Sequence, residues 1–146
     1  MATLTVAEVR GRVDAALQAA PYVRSRHVPE LFGLDTDLLL HKSYSVATPL
    51  TTVDGFDGRE HYPDEGEAQT RVDVRTAYRL RGDGQSADYS AALDHEHLVL
   101  RTVMSSTVLT YLQLHVDGVP RRTVTPGGDW LISLIRFKVY HRFSFA

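Results

Sequence analysis

The chain of 146 residues contains no cysteine. Disulfide bonds and thiolate metal sites are therefore excluded, and no thiol is present to act as a nucleophile. A chain of this length can form one domain that buries about 70% of the surface of its unfolded state. We expect a single domain over residues 1–146, stabilised by side-chain packing.

Long apolar runs and basic leader sequences are also lacking. No stretch approaches the roughly 18 consecutive apolar residues of a membrane span, and the N-terminus has no charged start followed by an apolar segment. We expect a protein that is made in the cytoplasm and has no membrane partner. Only two of the 16 basic residues are lysines, Lys42 and Lys138, and the net formal charge of -2 favours no class of partner.

Two segments have the pattern of amphipathic helices. Thr5 and Glu8 have the spacing of a capping box. Six apolar residues after it fall within an arc of about 100°: Val6, Val9, Val13, Ala16, Leu17 and Ala20. Ser86 and Asp88 begin a second helix that is predicted to run to about Met104. We expect both helices to pack on a sheet.

Apolar and alternating segments predict the strands. The first extends from Leu38 to Thr48 and is ended by Pro49, and the second is a half-buried strand from Arg71 to Arg81. A third covers Tyr111–Val116, and Thr123–Phe145 holds the remaining β structure, with a break at the glycines before Trp130. The order of elements predicts an α+β fold with one mostly antiparallel sheet and two main helices on one face.

The run from Trp130 to Phe145 is apolar or aromatic on both alternating faces. It is far longer than the usual strand of about five or six residues, and a small domain has difficulty covering both of its faces. We therefore expect part of the protein to be buried against other copies, with this strand completing a neighbour's sheet by edge pairing.

A long acidic loop is predicted between the first two strands, from Thr51 to Ala68. Loops of this length in compact domains are usually functional or disordered. The spacing of its carboxylates does not match that of a calcium-binding loop. The loop contains one basic residue, Arg59. Its acidic residues are Asp54, Asp57, Glu60, Asp64, Glu65 and Glu67.

The second strand has arginine on its outward face, at Arg71, Arg75, Arg79 and Arg81, and Arg121 and Arg122 add a second cationic point. We interpret this as a solvated or intersubunit face with Asp73 as one possible partner. A nucleic-acid-binding module is the alternative, and it would bind with a steep dependence on salt. The lack of interleaved aromatic residues and the upstream acidic loop argue against it.

The segment Asp94-His95-Glu96-His97 is the densest group of possible metal ligands. His95 and His97 are about 200° apart on a helix, so they cannot share a metal, and we predict no metal or cofactor site. Glu96 falls within the apolar stripe of the helix, where a carboxylate must be paired, and we predict a buried or interfacial ion pair. The alternative is a small hydrolase or isomerase in which Glu96 acts with His97 or His41.

The order and phrasing of the elements resemble the tail terminator proteins of tailed bacteriophages. The resemblance begins at Leu38 and rests on the strand around HKSYSVATPL, the strand VDVRTAYRLR, the helix SADYSAALDHEHLVLRTVM and the C-terminal GDWLISLIRFKVYHRF. It implies a non-catalytic subunit of a hexameric ring that caps the tail tube, ends tail elongation and presents a surface to the head-side neck. Its partners would be the tail-tube protein and a head–tail connector or stopper protein.

The same resemblance implies a virion location after assembly in the host cytoplasm, with genomic DNA passing through the ring without sequence-specific binding. Head-completion and stopper proteins of the neck are the alternative within this structural class. The residues that we expect at subunit or partner contacts are Asp54, Asp57, Glu60, Asp64, Glu65, Arg71, Arg75, Arg79, Arg81, Glu96, Arg121, Arg122, Trp130, Arg136, Lys138 and Tyr140.

Overall fold

A computed structural model describes residues 3–18, 22–25, 28–54, 65–81, 86–106 and 112–144. The α+β class is confirmed, with a mostly antiparallel sheet and two helices on one of its faces. The elements are α1 (Val6–Gln18), β1 (Val23–Arg24), 3-10 turns at Pro29–Leu31 and Thr36–Leu38, β2 (Ser43–Asp54), β3 (Glu65–Arg79), α2 (Ser86–Ser105), β4 (Gln113–Val116), β5 (Arg121–Val124) and β6 (Trp130–Ser144).

The described strands form one sheet in the order β1-β2-β3-β6-β4, and β5 also pairs with β6. The β1–β2 pair is parallel and the other pairs are antiparallel. Because β3 pairs with β6 along the whole of β6, the shorter strands β4 and β5 must share the opposite edge of β6. The long strands β3 and β6 are therefore the centre of the sheet.

The two helices cover one face of this centre. The capping box of α1 is confirmed, since the Thr5 N–H donates to Glu8 Oε2 at 2.7 Å and the Glu8 N–H donates to Thr5 Oγ1 at 3.1 Å. Alternate residues of the strands point at the helices and form the main core. Its fully buried members include Val9, Val13, Leu17, Tyr44, Val46, Val72, Val74, Val99, Ile135, Phe137 and Val139.

Residues 28–40 cover part of the opposite face. Phe32 and Leu39 pack against Ala77 and Trp130 in a second, smaller cluster. Gly33 has a φ of +83°, and a Cβ added there would lie 3.0 Å from the Ile132 side chain, so both the backbone conformation and the close approach favour glycine. This segment is a third layer over one end of the sheet.

Three details of the predicted strands were wrong. The first long strand begins at Ser43 and runs past Pro49, which lies at a register shift between Ala47 and Leu50. Since β1 pairs only with Ser43 and Tyr44, Pro49 is on an edge, where a missing N–H costs no ladder hydrogen bond.

The acidic loop is also shorter than predicted. Thr51–Asp54 and Glu65–Ala68 are paired strand, and the connecting residues 55–64 lie outside the described residues. Finally, β6 has strands on both of its sides and is not available to complete a neighbour's sheet as we expected.

Candidate functional site

Among the described residues, only residues 28–40 cover the face of the sheet away from the helices, called here the open face, and they cover one end of it. Residues 28–40 pack over Ala77 and Trp130, whereas the neighbouring rows of β3 and β6 carry charged side chains. Alternation places these charges opposite the core, because Arg71, Asp73 and Arg75 alternate with the buried Val72 and Val74. The uncovered part is the strongest candidate for a functional surface.

Cations from three strands meet on this uncovered part. Arg71 lies opposite Lys138 in the β3–β6 register, and Asp73 lies opposite Arg136. One row further on, Leu134 lies between Arg75 on β3 and Arg121 on β5. We define the cationic face as Arg71, Arg75, Arg121, Arg136 and Lys138.

Asp73 is the anionic centre of the cationic face. It is only 3% exposed, and its ion pair with Arg71 confirms it as a partner of the arginines on this strand. The Nε atoms of Arg71 and Arg136 each donate to the same oxygen, Asp73 Oδ1, at 3.2 Å. One carboxylate thus binds two guanidinium groups, and the three groups together keep a net positive charge.

The remaining cations have weaker partners. Lys138 Nζ lies 3.8 Å from Asp117 Oδ1, and Arg75 donates to the carbonyl of Pro29 at 3.4 Å. Leu50 is 56% exposed beside this face, opposite Arg71. The cationic face therefore combines an excess of positive charge with nearby apolar groups.

Two predicted contact residues border the open face. Tyr140 lies opposite Gln69 and packs against His115, with ring centroids 5.8 Å apart. Trp130 is buried beneath residues 28–40, so its role is to hold that segment on the sheet.

Three predicted arginines lie elsewhere. Arg79 is exposed at the end of β3, and Arg81 follows that strand. The Arg81 N–H donates to Asp88 Oδ2 at 2.7 Å, which holds the pKa of Asp88 below its ordinary value. Arg122 lies on the helix face, opposite Ser133. Arg81 is therefore not on the strand face where we placed it with Arg71, Arg75 and Arg79. The second cationic point is divided, because Arg121 and Arg122 point to opposite faces of the sheet.

The predicted acidic residues are only partly within the described structure. Asp54 pairs in register with Glu67 at the end of the β2–β3 hairpin, and Glu65 pairs with Ser144. Asp57, Glu60 and Asp64 lie outside the described residues. The acidic stretch therefore starts where β2 ends and finishes where β3 begins.

Glu96 forms the ion pair that the sequence predicted. Arg122 Nε donates to Glu96 Oε2 at 2.8 Å, and Arg122 Nη2 donates to Glu96 Oε1 at 2.7 Å. Ser133 Oγ donates to Oε2 at 2.7 Å. The hydrogen bonds that Arg122 donates to Glu96 raise the pKa of Arg122 above its ordinary value. Both carboxylate oxygens are occupied, and the pair joins α2 to the edge strand β5.

The Arg122→Ala variant should lose about 2 kcal/mol of unfolding free energy. Removing one partner of a buried pair costs about 3–5 kcal/mol, and we expect less here because the Arg122 side chain is 42% exposed while that of Glu96 is 6% exposed. Urea unfolding followed by circular dichroism measures the loss.

The matched control replaces the whole hydrogen-bonded group. In the triple variant Glu96→Leu, Arg122→Leu and Ser133→Ala no buried carboxylate is left without a donor, so most of the stability should return. Equal stability of Arg122→Ala and the parent chain would mean that the ion pair does not stabilise the packing of β5 on α2.

A cavity of about 560 Å3 lies at the end of the sheet where β3 meets α2. The Arg79 N–H donates to His41 Nδ1 at 3.1 Å, and burial lowers the pKa of His41. No nucleophile–base pair is formed by its described lining residues, which are His41, Tyr78, Arg79, Leu80, Arg81, Asp88 and Asp129.

The histidines of α2 are separate, as we predicted, but His95 lies in the interior rather than at the surface or its boundary. His97 is exposed, whereas His95 is buried against the rings of Tyr22 and Tyr78, with centroids 5.3 and 5.7 Å from its own. Over the described residues, no group of three His, Asp or Glu side chains is arranged to hold a metal ion.

His141 is another buried histidine. Its Nδ1 lies 3.0 Å from the Leu4 carbonyl and its Nε2 lies 2.7 Å from Thr70 Oγ1. Because a carbonyl only accepts, Nδ1 carries the proton and Nε2 accepts from Thr70. This histidine attaches the chain before α1 to the central strands.

No protein-family model matches the chain, and the search of curated proteins gives no significant match. Neither α1 nor α2, the two helices in the described ranges, has the length and apolar character required to span a membrane.

Proposed function

We propose that this chain is a structural assembly subunit of the tail-terminator type. Six copies close into a ring on the end of a phage tail tube, stop its elongation and offer a surface to the head-side neck. The observation that carries the proposal is the segregation of charge on one small domain, with the cationic face on the sheet and the acidic stretch Asp54–Glu67 at the end of the β2–β3 hairpin.

Segregated charge of opposite sign suits a head-to-tail contact. In a ring, one surface of each subunit meets a different surface of the next, and the rotation between copies fixes their number. The cationic face has five basic groups around Asp73, and the acidic stretch has six carboxylates and one arginine. The ring contact places the cationic face of one copy on the acidic stretch of the next.

Two further observations support an assembly role. The carboxylate of Glu96, which the alternative enzyme would use as its acid or base, is occupied by Arg122 and Ser133. The element order from β2 to β6 also agrees with the order on which the resemblance rests. In this role the protein belongs to the virion, and DNA passes through the ring.

Light scattering on the purified chain, alone and then with tail-tube protein of the same phage, tests the proposal. A mass of six subunits, either free or only on tubes, is the expected result. A chain that stays monomeric and ignores the tubes would contradict it.

The acidic stretch gives the matched variants. Neutralising Asp57→Asn, Glu60→Gln and Asp64→Asn together should weaken ring formation by about tenfold or more, because like-charged or neutral surfaces lose steering and specificity. Asp94→Asn, on the exposed side of α2, is the control and should assemble normally. Normal tube capping by the neutralised variant would exclude the acidic stretch as the ring contact.

A further inference from the structure

Residues 28–40, called here the leucine segment, present apolar side chains to the outside. The segment turns Phe32 and Leu39 towards the sheet. Its outward side is unusual for a protein surface, where large exposed apolar patches mark interaction sites. The exposed aliphatic residues are Val28, Leu31, Leu34, Leu38 and Leu40.

The leucine segment is also acidic. It contains Glu30, Asp35 and Asp37, all exposed, and no basic residue. The adjoining cationic face has five cations, and the carboxylates of Asp73 and Asp117 offset two of them. Three negative charges therefore lie beside an excess of three positive charges.

The cationic face also offers apolar surface to the side chains of a partner. The leucine segment packs on the open face of the sheet, and the cationic face beside it is left uncovered by the residues that the structure describes. At the edge of the cationic face is a hollow of about 200 Å3, lined by Asp117, Gly118, Val119, Arg121, Leu134 and Arg136. Together with the exposed Leu50, this hollow gives aliphatic side chains a place to pack.

We infer that a second copy of this chain occupies the cationic face with its leucine segment, and that the contact is two-fold. Both surfaces belong to the same side of the sheet and point in the same direction. A second copy can bring one against the other only when it is turned over by half a turn. Each leucine segment then covers the cationic face of the other copy, as in an isologous dimer.

The size of the contact agrees with a reversible dimer. Strand and residue spacings give the cationic face dimensions of about 20 by 15 Å, or about 300 Å2. The two-fold contact buries the cationic faces of both copies, and each leucine segment buries a similar area on its own side. The total buried surface is therefore about 1,200 Å2, which is at the lower end of specific protein interfaces.

The acidic and apolar character of the leucine segment favours this occupant over nucleic acid or lipid. Phosphate groups on the cationic face would meet Glu30, Asp35 and Asp37 at its border, and like charges there oppose binding. The leucines need an apolar partner, which a phosphate backbone does not provide.

The inference does not rest on the proposed ring function. If both hold, the two-fold contact and the ring contact compete for the cationic face, and the free chain is a dimer that must separate before a ring closes. This would keep the ring contact covered until subunits meet a tube.

Sedimentation velocity over a range of protein concentrations is the first test. We expect a monomer–dimer equilibrium that Leu34→Ser weakens by about tenfold or more, since Leu34 is 77% exposed and its loss should not disturb folding. Leu98→Ser is the matched control, because Leu98 is 48% exposed on α2, on the other side of the sheet. A monomer at every concentration, or equal effects of the two variants, would overturn the inference.

Charge exchange tests the pairing of the two surfaces. Asp35→Lys with Asp37→Lys should weaken the dimer, and Arg121→Glu with Lys138→Glu should weaken it similarly. All four substitutions on one chain should restore it, because the signs are again opposite. A quadruple variant as weak as the two double variants would contradict contact between these surfaces.

Zero-length cross-linking of mixed isotope-labelled and unlabelled protein separates this contact from the ring contact. The chain has only two lysines, so products from Lys138 are easily identified. Intermolecular products joining Lys138 to Glu30, Asp35 or Asp37 are expected from the free dimer. Products joining Lys138 to Asp54–Glu67 instead would overturn the two-fold contact and support the ring contact.

Discussion

Lowering the pH from 6.5 to about 4 should cost the folded protein up to about 3 kcal/mol through His95 alone. Burial lowers the pKa of His95 from 6.5 to about 4, and the positive charge of Lys42 and the His41 ring lower it further. The imidazole is 5% exposed between Tyr22 and Tyr78, and Nε2 has no hydrogen-bond partner among the described residues. A proton there would be buried without an acceptor.

The direction of the effect follows from the two states. The unfolded chain binds the proton at about pH 6.5, whereas the folded chain resists it until about pH 4. Stability from neutral His95 is therefore fully present above pH 6.5 and is lost progressively as the pH falls to 4. The pKa of Asp88 is lowered, so the contribution of its carboxylate to the unfolding free energy stays present in this pH window and is lost only at lower pH.

Urea unfolding at several pH values measures this dependence. His95→Phe removes the titrating group and keeps an aromatic ring, so its stability should change much less between pH 6.5 and 4. His97→Gln, at the exposed neighbouring position, should keep the slope of the parent chain. If His95→Phe kept that slope too, the dependence would arise from other groups.

The local elements of this fold could be predicted because they depend on short-range patterns. The capping box at Thr5 indicated the start of α1, and Ser86 with Asp88 indicated the start of α2. The alternation around Val72 and Val74 indicated β3, and the glycines before Trp130 marked the start of β6. The α+β class followed from the order of these elements.

Strand limits and pairings were harder to predict because they depend on the tertiary context. Pro49 was interpreted as a strand end, although an edge strand with a bulge tolerates it. The apolar character of both faces of β6 indicated contact with other copies, but the leucine segment supplies part of the cover from the same chain. A segment with no helical or alternating pattern gave no signal that it packs on the sheet.

The candidate site could be predicted only in part, because it also depends on the tertiary context. Arg71 and Arg75 were identified from one strand, but their grouping with Arg136 and Lys138 needs the β3–β6 register. Arg122 looked equivalent to Arg121, yet neighbouring strand residues point to opposite faces, so Arg122 reaches Glu96 instead. The leucines of residues 28–40 were overlooked, although their density beside three acidic residues was a readable signal.

The leucine segment packs against a hydrophobic cluster that is separate from the main core. The segment is held by the small cluster around Trp130, while α1 and α2 are held by the larger one around Phe137. The protein can therefore lose the order of its proposed dimer surface without losing its helices.

Trp130→Ala should show this separation and should lower the unfolding free energy by about 3–5 kcal/mol. The side chain is nearly buried under Phe32 and Leu39, and its removal leaves a cavity between the leucine segment and the sheet. Hydrogen exchange should then speed up selectively at the amides of Leu31, Phe32, Leu38 and Leu39, whose backbone hydrogen bonds form the two 3-10 turns. The dimer should weaken in parallel.

Phe137→Ala provides the comparison, because it removes a ring of the main core at a similar cost in stability. In that variant the protection of the leucine segment should fall only as much as that of β6. Partial recovery is expected in Trp130→Phe, which refills most of the cavity. Equal loss of protection at the leucine segment and at β6 in Trp130→Ala would mean that the two clusters unfold as one unit, and the leucine segment would then be part of the core rather than a separately held docking surface.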